Sequence, residues 1–283
     1  MVTEWLPLHM EGQLANTTEQ IRENIVSALA RDYIPFNALI GRKTGAVAIV
    51  GSGPSLKKNW RQLKRFKGDI IACNAACQFL LEKGITPTYM FCFDADRLML
   101  EFMTPHKDIT YLLASRCHPK AFDMVKGCKV VCWHAGGDLE INELLGKHGK
   151  YEPMVAGGGA AVTRAMIVAL PMGYTEVHLY GADSSFAQGD THIRQSTTKE
   201  RRIKVKMALR EFETAPWMAK QLEEFKVLAP TYRDNVGARF IVHGDGLIPH
   251  AALVMGFETD LAPRVRHFAR RWKWKAETLW QNL

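Results

Sequence analysis

Five times between residues 46 and 137 the chain repeats one unit: a short apolar run, a polar or glycine-bearing tip, then a helical segment. The runs begin at intervals of about 20 to 25 residues, the spacing of strand and crossover helix in a parallel sheet. They are residues 46–50 (Ala-Val-Ala-Ile-Val), 69–73, 88–93, 109–114 and 129–133. Runs this short and this apolar suit strands buried on both faces, and right-handed crossovers then limit the chain to the α/β class. Two later runs, 176–180 and 239–243, extend the same sheet. We therefore expect a Rossmann-like, doubly wound, mainly parallel sheet with added N- and C-terminal helices.

Around that sheet, residues 17–31 place Ile21, Ile25, Ala28 and Leu29 at helical spacing, so 1–45 reads as an N-terminal helical extension. Residues 46–256 form the sheet domain. A polar stretch at 186–198 and a helical run at 199–228, with Trp217, Met218 and Phe225 as core contacts, read together as a lid over about 186–230. Residues 257–283 read as an amphipathic helix with Leu261, Val265, Phe268, Trp272 and Leu279 on one stripe. Such a helix suits docking on the body or on a second copy, a route to a homo-oligomer.

Charge and cysteine usage narrow the partners. The net charge of +8 is concentrated in residues 199–206 and 264–275, two surfaces and not one footprint, so no nucleic-acid partner is expected. No apolar run reaches membrane-spanning length and residues 1–9 lack a signal-peptide pattern, which makes the cytoplasm the expected compartment. The 6 cysteines, at 73, 77, 92, 117, 128 and 132, fall largely in or beside strands and read as reduced core thiols.

The first strand runs straight into Gly51, Ser52, Gly53, Pro54 and Ser55, after which a short basic helix covers 57–66. Strand, glycine turn and helix start make an anion site: free N–H groups point past the strand's end, the glycines admit a phosphate, and Ser52 or Ser55 adds a hydroxyl. A tight turn without a ligand is the plainer alternative. The stretch has neither the Gly-Lys-Ser/Thr end of a P-loop nor the third glycine of a dinucleotide loop. Gly157, Gly158 and Gly159 repeat the logic before the later helix that begins near Ala160.

Other candidates stand at strand tips. Asn74 follows the second strand, where it can meet a ligand, cap the next helix, or do both. Asp94 and Asp96 follow the third; they form an Asp-x-Asp pair suited to a divalent cation such as Mg2+ on a diphosphate, or else Asp94 meets a ligand while Asp96 caps a helix. His118 and His134 follow the fourth and fifth strands, and each is more simply structural than catalytic. Asp183 and Ser184 follow the sixth, and His192 lies in the polar stretch beyond.

Taken in order, these motifs resemble a known superfamily: the archaeal 6-hydroxymethylpterin diphosphokinases and the bacterial motility accessory factors, with a more distant similarity to bacterial CMP-sialic acid sialyltransferases. The similarity rests on residues 51–56, Cys73-Asn74, the Gly84-Ile85-Thr86-Pro87 turn before Asp94, Gly157 to Gly159, and Gly181-Ala182-Asp183-Ser184. The resemblance implies nucleotide or diphosphate binding at Gly51, Ser52, Gly53, Pro54, Ser55, Asn74, Gly157, Gly158 and Gly159; Ser184, where relatives often carry leucine or phenylalanine, is expected to join them by its place at the strand tip. It matches Asp94, Asp183 and His192 to family positions, for which catalytic roles are expected; metal binding at Asp94 and Asp96 is expected from their Asp-x-Asp spacing alone. Diphosphoryl transfer from a nucleoside triphosphate such as ATP is the first expectation and sugar transfer from a CMP- or UDP-sugar the second; a catalytically silent ligand-binding protein is the third.

Overall fold

The computed structural model describes residues 16–136, 141–187, 201–207 and 210–261. Helix α1 (Thr18–Leu29) begins where Thr17 Oγ1 accepts the Gln20 amide at 3.2 Å. It turns Ile21, Ile25, Ala28 and Leu29 inward, as their spacing requires. On the same face Asn24 Nδ2 donates to the carbonyls of Ala95 and Arg116 at 3.4 and 3.0 Å, which ties the helix to two strand tips. Next come β1 (Ile34–Pro35), β2 (Ala46–Val50), α2 (Leu56–Leu63), β3 (Asp69–Cys73), α3 (Ala75–Glu82), β4 (Tyr89–Cys92) and β5 (Thr110–Ala114). They are followed by α4 (Pro119–Met124), β6 (Lys129–Ala135), α5 (Ile141–Lys147), β7 (Met154–Val155), α6 (Ala161–Met172) and β8 (Glu176–Tyr180). The remaining elements are β9 (Ile203–Met207), β10 (Arg210–Thr214), α7 (Pro216–Val236), β11 (Arg239–Val242), α8 (Leu247–Val254) and β12 (Glu258–Thr259).

The main sheet runs β1-β6-β5-β4-β3-β2-β8-β11-β12, with β7 beside β6, and its strand pairs are parallel. From β2 the chain builds outward through β3, β4, β5 and β6. Helix α6 then crosses back, and β8 pairs with the other side of β2, with Val50 opposite both Ala72 and Tyr180. The winding therefore reverses between β2 and β8. At such a switch point the connections leave in opposite directions and open a crevice beyond the strands' C-terminal ends. Val47, Ala48, Ile49 and Val50 have no exposed surface. Burial of each larger side chain stabilises the sheet by about 1.5–3 kcal/mol, and β2 is consequently a rigid base for the turn that follows it.

Two expectations are corrected. Residues 199–228 are not one helical run: β9 and β10 form an antiparallel hairpin, with Ile203 opposite Thr214 and Met207 opposite Arg210, and the helix starts only at Pro216. Ile203, Val205 and Met207 alternate with Lys204 and Lys206, a period of two that turns alternate side chains inward. Strand 239–243 is not the last, because β12 forms where the C-terminal helix was expected to begin. Residues 262–283, with the rest of that expected helix, lie outside the described residues. No helix among the described residues is long and apolar enough to cross a membrane. The six thiols are unpaired and all but Cys128 are buried, in line with core cysteines.

Candidate functional site

The turn after β2 is locked against the turn after β8 by contact between backbones. Gly51 N–H donates to the Tyr180 carbonyl and Gly53 N–H to the Gly181 carbonyl, both at 2.8 Å. A Cβ on Gly51 would lie 2.6 Å from the Gly181 oxygen; one on Gly53 would lie 2.4 Å from Asp183 Oδ2; one on Gly181 would lie 2.3 Å from the Gly51 oxygen. Only glycine fits at these three positions. Asp183 then completes the turn by accepting the Ser55 amide at 2.8 Å. The expectation of bare amides here is thus corrected: Gly51, Gly53 and Ser55 donate within the protein, and Pro54 has no N–H to offer. Ser52 lies between them and is half-buried.

Asp183 is 4% exposed. Burial pushes its carboxyl up to about 6, against the pull of the Ser55 amide and hydroxyl, with Asp245 pushing the same way as burial. The Ser55 hydroxyl approaches this carboxylate without the geometry of a hydrogen bond, so Ser55 Oγ and Asp183 Oδ1 are both buried without a well-formed partner. Lys58, at the start of α2, offsets part of the charge.

Beyond β3, Asn74 adopts φ 48°, and beyond β8, Ser184 adopts the same value. They are the only non-glycine residues with positive φ among those described, a conformation held at some energetic cost by surrounding structure. Asn74 heads α3 without a side-chain cap; its Nδ2 instead donates to Asp94 Oδ2 at 3.3 Å, and its Oδ1 is buried with no partner. Asp94 is exposed. Desolvation by the protein around it still raises its pKa, with Asp96 adding to the rise and Asn74 and Arg116 opposing it. Asp96 caps the following 3-10 turn by accepting the Leu98 amide at 2.8 Å. His118 is likewise a cap, its Nδ1 accepting the Lys120 amide at 3.2 Å. Among the described residues no three His, Cys, Asp or Glu side chains converge as a metal site.

The second glycine turn closes around a different object. Gly157 and Gly158 have φ of 86° and 71°, and a Cβ on Gly158 would lie 2.8 Å from the Arg164 backbone nitrogen. The curled backbone receives the Arg164 guanidinium: Nε donates to the Gly158 carbonyl at 2.8 Å and Nη1 to the Val155 carbonyl at 2.6 Å. The guanidinium also lies over the Phe93 ring, 4.6 Å from its centroid. A carboxylate occupies the mouth of α6. Glu224 of α7 accepts the Gly159 amide and the Thr163 hydroxyl, each at 2.7 Å.

The two glycine turns lie on one rim. A Cβ on Gly51 would touch Val162 of α6 at 2.6 Å, and Cys73 at the end of β3 meets the Ala161 carbonyl at 3.8 Å. Ser184 ties this rim to α7 and the hairpin: its Oγ donates to Gln221 at 2.8 Å and its carbonyl accepts the Thr214 hydroxyl at 2.8 Å. His192 lies outside the described residues. Sequence reasoning missed Arg164, although an arginine on a helix as apolar as Ala-Val-Thr-Arg-Ala-Met-Ile-Val-Ala-Leu is itself a signal. It also missed Glu224, which carries no local mark, and the Glu152 carboxylate that joins His134 Nε2 (3.1 Å) to the Tyr33 hydroxyl (3.0 Å). Burial holds His134 below the ordinary histidine value despite Glu152. A groove of 520 Å³ between Tyr33, Phe122 and Lys129 lies at the N-terminal ends of the strands, opposite the two glycine turns.

Comparison with known proteins agrees with this architecture. The MAf glycosyltransferase from Magnetospirillum magneticum AMB-1 superposes with a TM-score of 0.63 at 19% identity, over 83% of this chain and 38% of that one. This chain thus spans well under half of that protein, and the likeness establishes the fold. The monofunctional α-2,3-sialyltransferase Cst-I from Campylobacter jejuni gives a TM-score of 0.33 at 13% identity, over 70% of this chain and 74% of that one. No curated protein matches the sequence. The family described as 6-hydroxymethylpterin diphosphokinase MptE-like matches residues 16–189, well over half of the chain, and the protein belongs to that MptE-like family.

Proposed function

We propose that the protein is a transferase that binds a nucleotide along the C-terminal rim of the sheet, across the switch point between β2 and β8. One observation carries this reading: buried side-chain atoms without partners gather at the tips of successive strands. Five stand there: Ser55 Oγ beyond β2, Asn74 Oδ1 beyond β3, Ser115 Oγ beyond β5, His134 Nδ1 near the end of β6 and Asp183 Oδ1 beyond β8; others, such as those of Asn59 on α2 and Gln78 on α3, lie elsewhere. A buried polar atom left unpaired costs about 1–3 kcal/mol, so a row of them on one edge favours a polar ligand there. The two strained residues, Asn74 and Ser184, belong to the same edge.

In this reading Ser52, Ser55 and Asn74 face the nucleotide, while Gly51, Gly53 and Pro54 shape its seat. Asp183 positions Ser55 from behind, and Gly157, Gly158 and Gly159 with Arg164 form the second wall. Asp94 is the carboxylate at the opening. With its pKa raised it can take a proton from an acceptor hydroxyl, or it can offer one ligand to magnesium. With Asp96 engaged as a cap, a magnesium ion would be held largely by the nucleotide's own phosphates and water.

Diphosphoryl transfer from a nucleoside triphosphate is the first chemistry, because the family carries the pterin diphosphokinase description. A specific observation favours the second, transfer of a sugar from a CMP-linked donor: the β2 turn already bonds most of its amides internally, and a single phosphate asks less of it than three. Calorimetry on the full chain separates the two. Tight binding of ATP that requires magnesium and strengthens with 6-hydroxymethylpterin supports the first, and binding of CMP without magnesium supports the second. In either case Asp94→Asn should weaken binding or turnover about tenfold or more. Failure of every nucleotide to bind would sink the proposal and leave a silent member of the fold.

A further inference from the structure

Four titratable groups form a row on the α2 side of the sheet, behind the 51–55 turn. Glu176 and His178 stand on β8, His243 directly follows β11, and Asp260 directly follows β12. Hydrogen bonds join them end to end: Glu176 Oε1 to His178 Nε2 at 2.8 Å, His178 Nδ1 to His243 Nε2 at 2.9 Å, and His243 Nδ1 to Asp260 Oδ1 and Oδ2 at 3.0 and 3.1 Å. The two imidazoles lie within 10° of parallel, Tyr180 stacks on His243 at 4.0 Å, and the Phe66 ring of α2 meets His178 edge-on at 4.9 Å. The charged neighbours are few. Arg239 of β11 pairs with Glu176 at 2.5 Å and with both oxygens of Glu258 at 2.7 Å; Gln62 of α2 and the Gly244 amide donate to Asp260.

Counting protons fixes the charge of this row. Ionised carboxylates only accept, so His178 Nε2 and His243 Nδ1 must each carry a hydrogen. A third hydrogen must then lie between His178 Nδ1 and His243 Nε2. Three protons on four ring nitrogens make one imidazole and one imidazolium. With two protons, a lone pair faces a carboxylate; with four, two N–H groups meet head to head. Both carboxylates stay ionised: the His178 hydrogen bond holds Glu176 low, and at Asp260 burial is the largest single effect but is outweighed by His243, the Gly244 amide and Gln62 together.

The row ends at the candidate site. Asp260 holds both His243 and the Gly244 amide, and Gly244 at φ 118° is pressed so closely beneath the turn that a Cβ there would lie 2.6 Å from Ser55 Oγ and 3.3 Å from Asp183 Oδ1. We propose that His178 and His243 hold one proton between them as a single positioning unit, which sets the Gly244 turn and through it Ser55 and Asp183. As a statement about ligand binding, this rests on the reading of the 51–55 turn as the nucleotide's seat. The shared proton leaves as pH rises, and the row then loses a bond. A second proton enters only at lower pH, because burial first, and then the charge of His243, hold His178 below the ordinary value.

Nuclear magnetic resonance on the 15N-labelled full chain tests this from about pH 5 to about pH 8.5, the range in which histidines titrate. The expected result is one imidazole proton coupled to both rings near pH 6, and Ser55 and Gly244 amide signals that shift together as it leaves. CMP affinity should fall about threefold or more over the same rise in pH. His178→Gln should abolish the shift of the Ser55 amide; should that variant not fold, Asp260→Asn is read in the same way. Two independently titrating rings, or a Ser55 amide that does not move while the rings titrate, would overturn the proposal. Amides that titrate in a protein that binds neither CMP nor ATP would support the positioning unit and remove the nucleotide reading instead.

Discussion

The two glycine turns on this rim look alike in sequence and are closed in different ways. The turn after β2 is wedged between backbones, with Gly51 and Gly53 donating to the carbonyls of Tyr180 and Gly181. At the mouth of α6 the Gly159 amide meets a side chain, the carboxylate of Glu224, which approaches from a separate helix. A backbone wedge opens only if the sheet opens; a side chain needs only to swing away. In the nucleotide-binding proposal the first turn is therefore the fixed frame, and the second is the place where an incoming anion would displace one already present.

The largest difference should appear when each turn is given a methyl group. Gly181→Ala forces a Cβ to within 2.3 Å of the Gly51 oxygen at φ 59°, and Gly53→Ala places one 2.5 Å from the Gly181 oxygen. Neither backbone can retreat, so each change should destabilise the protein by more than about 3 kcal/mol, read from urea unfolding. In Gly159→Ala the new methyl meets only Glu224 Oε1, the end of a flexible side chain, and stability should stay within about 1 kcal/mol of wild type. Equal losses at the two turns would erase the distinction.

Asp183 gives a second, smaller contrast, confined to the first turn. Burial raises its folded-state pKa to about 6, so the ionised form is penalised in the folded protein. The penalty is present above about pH 6 and is relieved as pH falls toward the unfolded carboxylate value near 4. Asp183→Asn keeps an acceptor for the Ser55 amide and turns an N–H toward Ser55 Oγ. It should therefore raise stability by about 2 kcal/mol at pH 7, with the gain shrinking below about pH 6 and disappearing below about pH 4. Nucleotide affinity should fall in the same variant, since a neutral group holds the Ser55 amide less strongly. A variant that is less stable at pH 7 would show that the carboxylate's hydrogen bonds outweigh its burial.

What the sequence disclosed follows the same division. Strands 46–50 and 69–73 were legible to the residue because burial on both faces leaves an unbroken apolar run between polar ends, and 176–180 was legible by its alternation of Val177 and Leu179 although His178 interrupts the run. Their tips were legible as a rim because parallel strands must all end on one edge. The occupants of the amides were not legible: Gly51 meets a carbonyl from the far side of the sheet, and Gly159 meets a residue 65 positions away. A glycine reports that a backbone must bend or be approached closely, without saying by what. The β9–β10 hairpin was hidden by its lysines, whose run of charge drew attention from the alternation of Ile203, Val205 and Met207 between them.

Glu224 provides the finest test of the comparison. Its carboxylate is half-buried and accepts two hydrogen bonds at a helix N-terminus, a placement worth about 1 kcal/mol once partial exposure is allowed for. Glu224→Ala should thus lower stability by only about 1 kcal/mol, because water can replace the carboxylate at the Gly159 amide. The same change removes a negative charge that any incoming phosphate must displace or lie beside. Titration with CMP, followed by calorimetry at low ionic strength, should show affinity rising several-fold in Glu224→Ala, and the gain should shrink as salt screens the removed charge. The Gly53 side of the rim predicts no such gain, because no side chain can be removed there without losing the frame. If Glu224→Ala instead weakens CMP binding, the carboxylate is a partner of the ligand and α7 closes onto it, which would make the second turn as fixed a part of the seat as the first.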